Sequence, residues 1–560
     1  MLKLDFIVAV PPWRRFLGHK WHGQWPLFLF LALGMLLVYI SGCSNEHYKQ
    51  DADKEVREII DSKWSEYYGT RANASISDVK PHPDDLPGEL QLPENRVVSL
   101  KTAVALATAN NRGYQDRKED LYLAALDLSL FRHAFSTLYF GLLSGDYTHD
   151  VSDETTSLDG ELGFNQLLKS GALVTTRITS DWMRFLTGHP DQAFGSLMTI
   201  SIVQPLLRGT GEEIVTENLT QAERNVIYEL REFSRFRKEF VVDVVTEYFR
   251  VLQAYDRVEN DEFNYKLRIE SKKRAAMLAE ADKLKPFEVD QAEQRELTAK
   301  DNLIRSRQNY ESQLDRFKLT LVLPTEIEIA LDPGELQGLH EIIYIDPNYA
   351  VNEAMLLALA NRLDLATSYD RVDDARRRLH VAENNLGVEL NLVGSVDVGS
   401  DENNRLSNRL DFSDGTYSLG FESDFDLDRK GERNAYREAQ IAVTREERSY
   451  QQDIDEIKLD VRDALREFKE AAQSYIIQQQ SVKLAETRVD STNMLLQAGR
   501  VETRDLLESQ DDLLSAQNAL TGALIDHAIA KLVFYRDIGL LQVKPDGLWE
   551  RLNNEQANAN

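Results

Sequence analysis

The sequence predicts a mainly helical chain with a minority of membrane-type strands, built from one unit used twice and dominated by long coiled-coil helices. Three observations predict it. A short motif, Ala109-Asn110-Asn111-Arg112, returns as Leu359-Ala360-Asn361-Arg362, an offset of 250 from Asn111 to Asn361. Neither Gly nor Pro occurs between Gly211 and Pro286 or between Gly431 and Gly499. Alternating apolar and polar residues precede both of these runs. Internal repeats are sought first because missing one mis-assigns the whole architecture.

The protein has 560 residues and a formal net charge of −28. So acidic a chain does not suit nucleic acid, which calls for a basic surface. It suits a solvated exterior or a cation-attracting interior. The mean hydropathy is −0.42. Beyond the N-terminal segment, no stretch approaches the ~20 apolar residues of a spanning helix. If the mature chain crosses a membrane, it must do so with strands.

The N-terminal segment, residues 1–43, reads as a signal peptide. Arg14, Arg15 and Lys20 precede an apolar run from Leu27 to Ile40, too short for a comfortable span. The run ends in Ser41-Gly42-Cys43, and Cys43 is the sole cysteine, so no disulfide can staple the chain. An apolar core followed by Ser-Gly-Cys looks like a bacterial lipobox, in which Cys43 is lipidated and becomes the mature N-terminus. An ordinary signal peptide that happens to end near a cysteine is the alternative. Ser44 follows, and by resemblance to bacterial lipoproteins a residue other than Asp there directs the protein to the outer membrane.

Residues 44–96 form a polar tether. Its second half carries Pro81, Pro83, Pro87 and Pro93, and one short helix is expected around Asp53–Tyr67. The first repeat spans 97–324. Leu100, Val104, Ala107, Leu121, Leu128 and Phe131 keep a helical period. Between Phe135 and Leu207 alternation takes over, with Val174, Thr176, Ile178, Ser180 and Trp182 on one face. A linker at 325–347 leads to the second repeat, 348–541. There Val388, Leu390 and Leu392 alternate with Glu389 and Asn391, and Tyr417, Leu419 and Phe421 with Ser418 and Glu422. Runs of about 11 residues fit tilted transmembrane strands, whose apolar face meets lipid and polar face lines water. A soluble half-buried sheet uses the same alternation. Residues 542–560 read as a disordered tail.

The two runs without Gly or Pro predict helices of ~100 Å at 1.5 Å per residue. No compact core can bury such a helix, so each must lie in a coiled coil or bundle. Each repeat closes with a shorter helix, ending near Leu323 and Leu540. The offset there is 217, so the first repeat carries an insertion. In the last helix, from about Thr503 to Ile538, Leu506, Leu513 and Leu520 recur every seven residues with Ala516, Ala519 and Ala523 between them. That seam predicts knobs-into-holes packing.

Leu495-Leu496-Gln497-Ala498-Gly499, Asp505-Leu506-Leu507-Glu508-Ser509-Gln510 and Ala516 through Leu540 resemble the C-terminal half of the TolC family of outer-membrane efflux proteins. So does Gln204-Pro205-Leu206-Leu207-Arg208-Gly209. The resemblance covers about Val97 to Leu541. Lys283-Leu284-Lys285-Pro286-Phe287 departs from it, standing where a Gly-containing turn is expected. The resemblance implies a homotrimer. Each subunit would give four strands to a shared 12-stranded transmembrane β-barrel, and the helices would form a trimeric α-helical tunnel through the periplasm. It also implies a periplasmic adaptor and an inner-membrane pump as partners. Four strands cannot close a barrel alone, and an open edge cannot sit in lipid, so several copies are required on physical grounds too. The extra run Leu173–Trp182 is assigned to a hairpin above the membrane.

No catalytic constellation is present. The ten His are scattered, no His/Cys/Asp set has metal-ligand spacing, and no Gly-Lys-Ser/Thr phosphate loop occurs. No cofactor, metal or enzyme activity is expected. Asp505 and Glu508, three apart, share a helix face and match the family's acidic positions at the periplasmic entrance. Threefold symmetry would set six carboxylates in a ring that concentrates cations. Acids in a first turn also simply offset the helix dipole. By the 217 offset the first-repeat equivalents are Glu288 and Gln291. The turns at Gly499, Arg500 and Arg504 and at Lys285 and Pro286 would be tunnel tips where the adaptor docks. Solvated arginines on a turn are the plain alternative.

These readings converge on an outer-membrane, lipid-anchored exit duct of a tripartite pump or type I secretion system. Its competitor is a coiled-coil scaffold lipoprotein with a small sheet. If Cys43 anchors the chain, mass spectrometry of the mature protein will find an acylated N-terminal Cys43. An intact Met1, or an unmodified N-terminus beyond Cys43, excludes the anchor.

Overall fold

The computed structural model describes residues 44–65, 68, 95–149, 154–185, 192–343, 348–400, 410–425 and 427–543. Cys43, most of the tether and the tail from residue 544 lie outside them. The chain divides into two units, Met1–Glu58 and Ile59–Asn560. Helix α1, Asn45–Lys63, crosses that division and begins earlier than the sequence predicts. In the larger unit, Ile59 and Ile60 are buried, and Lys63 pairs with Glu223 at 3.4 Å.

Each repeat opens with two helices joined at one extended residue. In the first, α2 (Leu100–Asn110) meets α3 (Arg112–His133) at Asn111. Asn111 has φ −60° and ψ 126°, and its side chain accepts from the Tyr114 N–H, capping α3. Strand β1 (Val97–Val98) precedes α2, and Ser99 caps that helix. The matching pair in the second repeat is Val351–Asn361 and Leu363–Asn384, joined at Arg362. Leu100 to Val351 and His133 to Asn384 are each 251 apart. The motif is therefore shifted by one from the sequence reading: the joint is Asn111 in one copy and Arg362 in the other, because the extended backbone, not the Asn-Arg pair, is what repeats.

Four strands follow in the first repeat: β2 (Leu138–His149), β3 (Glu154–Leu167), β4 (Leu173–Phe185) and β5 (Gln192–Pro205). After a short helix α4 (Glu212–Val215) comes the long helix α5, Glu217–Glu280, 64 residues. It turns into α6, Pro286–Thr320. The connection between repeats is itself structured. It forms β6 (Ala330–Leu331), parallel to β1, and α7 (Gly334–Ile343), and Glu335 accepts from the Leu100 N–H at 3.2 Å. The second repeat then runs α8 (Val351–Asn361), α9 (Leu363–Asn384), β7 (Glu389–Gly399), β8 (Thr416–Asp424), α10 (Lys430–Gln497, 68 residues) and α11 (Thr503–Asp537). Pro286 to Thr503 and Thr320 to Asp537 are both 217 apart, so the closing helices match over their whole 35 residues.

All six long strands form one antiparallel sheet in the order β2-β3-β4-β5-β7-β8. Two expectations are corrected here. Among the described residues the sheet has six strands rather than four. Leu173–Trp182 belongs to a hairpin, as expected, but that hairpin does not stand apart from the sheet. The run lies in β4, paired with β3 on one side and β5 on the other. The physical reason is that its alternation matches its neighbours and both of its backbone edges are hydrogen-bonded.

In the helical part, α6 packs on α5, α5 on α11, and α11 on α10. The most buried side chains gather where α2, α3 and the ends of α6 and α11 meet the middle of α5: Leu106, Leu121, Leu230, Phe249, Phe317 and Phe534. Tyr248 is fully buried there, and its hydroxyl donates to the Val98 carbonyl at 3.0 Å. The predicted leucine seam of α11 is only partly right. Leu506, Ala516 and Ala523 are buried, Leu513 and Leu520 are half-buried, and Ala519 is exposed. The buried stripe continues instead through Leu524, Ala528 and Leu532.

Both hairpins of helices end in left-handed residues. In the second repeat these are Gly499 (φ 68°) and Gly539 (φ 80°). The residues 217 earlier are Asp282 (φ 56°) and Val322 (φ 57°). Gly539 also permits a close approach: a Cβ there would lie 2.8 Å from Asn361 Cβ, whereas at Gly499 it would meet open space. Ala in the left-handed region costs roughly 1–2 kcal/mol. Gly499→Ala should lose about that much in equilibrium unfolding. Gly539→Ala should lose clearly more, through the added clash, and equal losses would contradict the close approach.

Candidate functional site: a two-faced sheet and paired helical tips

The register of the sheet sorts its side chains onto two faces. Tyr139 pairs with Phe164, Phe164 with Thr176, Thr176 with Ile200, Ile200 with Val396 and Val396 with Tyr417. Directly paired residues share a face, and every second residue along a strand returns to it. That face carries Leu143, Leu162, Ile178, Met198, Leu392, Leu419 and Phe421 besides those just named. Tyr139, Leu162, Leu419 and Phe421 are 81%, 69%, 78% and 73% exposed. The opposite face carries Asp146, Asp159, Glu161, Arg177, Thr199, Asp397 and Glu422. Polar contacts span its strands: Arg177 pairs with Glu161 at 2.8 Å, and Thr199 donates to Asp397 at 2.9 Å. So large an apolar surface left uncovered marks contact with lipid or protein. The outer strands β2 and β8 each have one edge without a neighbouring strand among the described residues.

At the far ends of the long helices the two turns have one geometry. The Arg500 N–H donates to the Leu495 carbonyl at 2.9 Å and the Gly499 N–H to Leu496 at 3.0 Å. In the first repeat, Lys283 donates to Leu278 at 2.8 Å and Asp282 to Ala279 at 3.0 Å. Both are the paired bonds that close a helix with a left-handed residue. The Gly-less first turn therefore keeps the shape of the second, because Asp tolerates the left-handed region better than most residues. Arg500, Arg504, Lys285 and Pro286 are all exposed, and the Lys285 ammonium lies 5.7 Å from the centre of the Phe287 ring.

Asp505 and Glu288 occupy the same position in the first turn of α11 and α6. Asp505 accepts from the Glu502 N–H at 3.0 Å, so one of its oxygens serves the start of its own helix. Glu508 is exposed and Glu288 half-buried. In a single chain the carboxylates of the two repeats sit on separate helix starts. Only neighbouring copies could join them into a ring.

Three features of this region escaped the sequence reading. Met277-Leu278 and Met494-Leu495, 217 apart, place exposed apolar pairs at both tips. The repeat offset was the signal for them. Arg268 is 1% exposed and bonded to Asp511 (2.6 Å), to Gln510 (3.0 Å) and to the Leu507 carbonyl (3.1 Å). It ties the first hairpin to the second, and it lies with Asp261 and Asn264 where the apolar stripe of α5 turns polar. Nearer the sheet, α5 and α9 are joined by a ladder of ion pairs. Arg224 meets Asp374 at 3.0 Å, Arg231 meets Asp370 at 2.6 Å and Arg235 meets Asp364 at 3.2 Å. Burial, and then its hydrogen bond to Asp374, push the Tyr228 hydroxyl above its ordinary range. A cavity of about 1100 Å³ beside the ladder is walled by charges of both signs, among them Arg117, Asp120, Glu229, Arg371 and Glu446. Among the described residues no group of three or more His, Cys, Asp or Glu could hold a metal ion, and no helix is long and apolar enough to cross a membrane.

Residues 355–536 match the family described as outer membrane efflux protein. The match falls within the second repeat. No curated protein sequence matches the chain. Among solved structures, this chain resembles CusC, with a TM-score of 0.57 and 13% identity over 84% of this chain and 98% of that one. It resembles the Campylobacter jejuni CmeC outer membrane channel, at 0.55 and 15% identity over 88% and 94%. It also resembles the open state of the Neisseria gonorrhoeae MtrE outer membrane channel, at 0.57 and 13% identity over 86% and 96%. The chain thus shares the fold of these outer-membrane channels over both repeats.

The clamp at Arg268 sets a measurable expectation. Arg268→Ala removes its charge-assisted hydrogen bonds but leaves Asp511 its 3.2 Å pair with Arg295. The loss should be about 1–3 kcal/mol, discounted because Asp511 is partly solvated. Hydrogen exchange should rise in both tip turns together, and a rise confined to the first would show that the two hairpins are not coupled there.

Proposed function

We propose that the protein is one subunit of a trimeric outer-membrane exit duct, a passive conduit for export from the periplasm or cytoplasm to the exterior. The observation that carries this reading is the sheet with an exposed apolar face, a polar face and two open edges. In lipid every backbone N–H and C=O must be paired within protein, so the edges must close on other copies. Closed cyclic symmetry does this with one repeated contact. The apolar face then meets lipid and the polar face lines water. Exposed apolar residues on the helices, such as Leu130, Leu356, Leu459, Ile476 and Leu484, supply surface for packing neighbouring subunits into a tunnel. With no phosphate-binding loop in the sequence, the energy for transport must come from partners.

In this reading Cys43 carries the lipid anchor. The tips dock a periplasmic adaptor linked to an inner-membrane pump, through Met277, Leu278, Met494 and Leu495 with Arg500, Arg504 and Lys285 at their margin. Asp505, Glu508 and Glu288 from three copies line the entrance and gather cations. Their effect is separable from helix capping, because Asn at 505 keeps an acceptor for the Glu502 N–H while losing the charge.

Purified protein in planar bilayers should conduct ions and run as a trimer in native mass spectrometry. A dissolved, non-conducting monomer would defeat the reading. In the same bilayers, Asp505→Asn with Glu508→Gln should conduct with weaker block by divalent cations, and unchanged block would remove the carboxylate ring.

A further inference from the structure

We infer that the transmembrane wall is built from six strands per subunit, 18 in the closed trimer, with the hairpin of β3 and β4 as full staves of the barrel. This rests on the duct reading and deepens it.

The insertion is localised by the repeat itself. The offset between copies is 251 up to the end of α3 and 217 from α6 onward, so the first repeat is 34 residues longer in between. Adding 251 to Leu138 gives Glu389, the first residue of β7, so β2 and β7 correspond. β5 and β8 correspond as the strands that lead into the long helices. What remains without a counterpart is Glu154–Phe185, the hairpin of β3 and β4.

Three observations put that hairpin in the wall. It is paired on both sides along its length: β3 with β2 from Leu138 to His149, and β4 with β5 from Leu173 to Arg184. Leu158, Leu162, Phe164, Val174, Ile178 and Trp182 lie on the face that carries the apolar residues of the other four strands. Leu158 pairs with Trp182 and Trp182 with Phe194, while Leu162 pairs with Ile178 and Ile178 with Met198. A hairpin standing in water would have no use for a greasy face in register with its neighbours. Lastly, its turn lies at the helical end of the sheet. Ser170 Oγ donates to Gln204 at 3.0 Å, Gln204 donates back to the Ser170 carbonyl at 3.1 Å, and Lys169 pairs with Glu212 of α4 at 3.1 Å. Gly171, with φ 91°, passes so close that a Cβ would fall 2.9 Å from the Gly209 carbonyl oxygen. A hairpin rooted where the sheet hands over to the helices rises through the whole thickness of the wall.

Strand number sets width. At about 4.8 Å between strands and ~40° of tilt, 12 strands give a backbone diameter of about 24 Å and 18 strands about 36 Å. A barrel of 16–18 strands leaves an open aqueous channel. The exit is therefore no sieve, and selection of cargo falls to the tunnel and its tips. The occupant of each open edge is a second copy of this chain. Neighbouring strands alternate in direction across the six, so β8 of one copy meets β2 of the next antiparallel.

The test uses the full chain in lipid bilayers. With Trp64→Phe and Trp549→Phe, Trp182 becomes the sole tryptophan beyond the N-terminal signal segment. Further single-tryptophan proteins carry Ile178→Trp, Thr179→Trp or Ile200→Trp on a Trp182→Phe background. Brominated lipid should quench Trp182 and Ile178→Trp about as strongly as Ile200→Trp in β5, whereas Thr179→Trp should answer to aqueous acrylamide. Quenching of Ile200→Trp alone puts the hairpin outside the membrane and overturns the inference while the duct stands. No lipid quenching at any position, Ile200→Trp included, overturns the duct and this inference together. Native mass spectrometry of the same samples should give three copies, and any other number overturns the count of 18.

Discussion

The structure depends on one constraint: a sheet whose apolar face is exposed and whose two edges lack partners. The 81% exposure of Tyr139 and 78% of Leu419 would be a serious liability on a soluble molecule, and open edges invite uncontrolled pairing. Both problems vanish if the apolar face meets lipid and the edges close on further copies. Everything else in the chain is arranged to present that sheet. The strands of each repeat are approached by one pair of helices and left by a long one, so the helices gather at one end of the sheet rather than covering its face.

The helical part solves a different problem, which is to hold helices of 64 and 68 residues straight and in register with little core to bury. Apolar burial is concentrated in one belt around Tyr248, Leu230 and Phe534. On the side of α5 that faces α9, and again toward the tips, register is fixed by charge. Arg224, Arg231 and Arg235 meet Asp374, Asp370 and Asp364 at one end, and Arg268 holds Asp511 toward the other. Buried ion pairs are weak sources of net stability but are costly to misalign. An ion-pair ladder therefore suits long helices that must not slide past one another.

The two repeats show which features of the unit are physically required and which are free. The extended joint between the opening helices is kept, though Asn111 fills it in one copy and Arg362 in the other. The left-handed residue at each helix end is kept, though Gly499 and Gly539 become Asp282 and Val322. Of the two glycines, only Gly539 is also pressed against a neighbour, Asn361. Backbone conformation is thus what duplication preserves, and glycine only its least strained carrier. The hairpin of β3 and β4 shows the opposite freedom: a sheet can accept two more strands wherever pattern and pairing agree.

Much was legible in the sequence because it is written in local periodicity. The long helices follow from the absence of Gly and Pro between Gly211 and Pro286 and between Gly431 and Gly499, and the strands from alternation such as that of Tyr417, Leu419 and Phe421. The duplication and the presence of an insertion in the first repeat were likewise available from spacing. Tertiary structure alone decided which strands that insertion lies between. Alternation places a residue on a face but does not say which strand lies beside it, and pairing across Leu158, Trp182 and Phe194 is a long-range fact. The same holds for the partners of Arg268 and Asp374, and for the seam of α11, where equally spaced leucines are unequally buried because burial depends on what packs opposite.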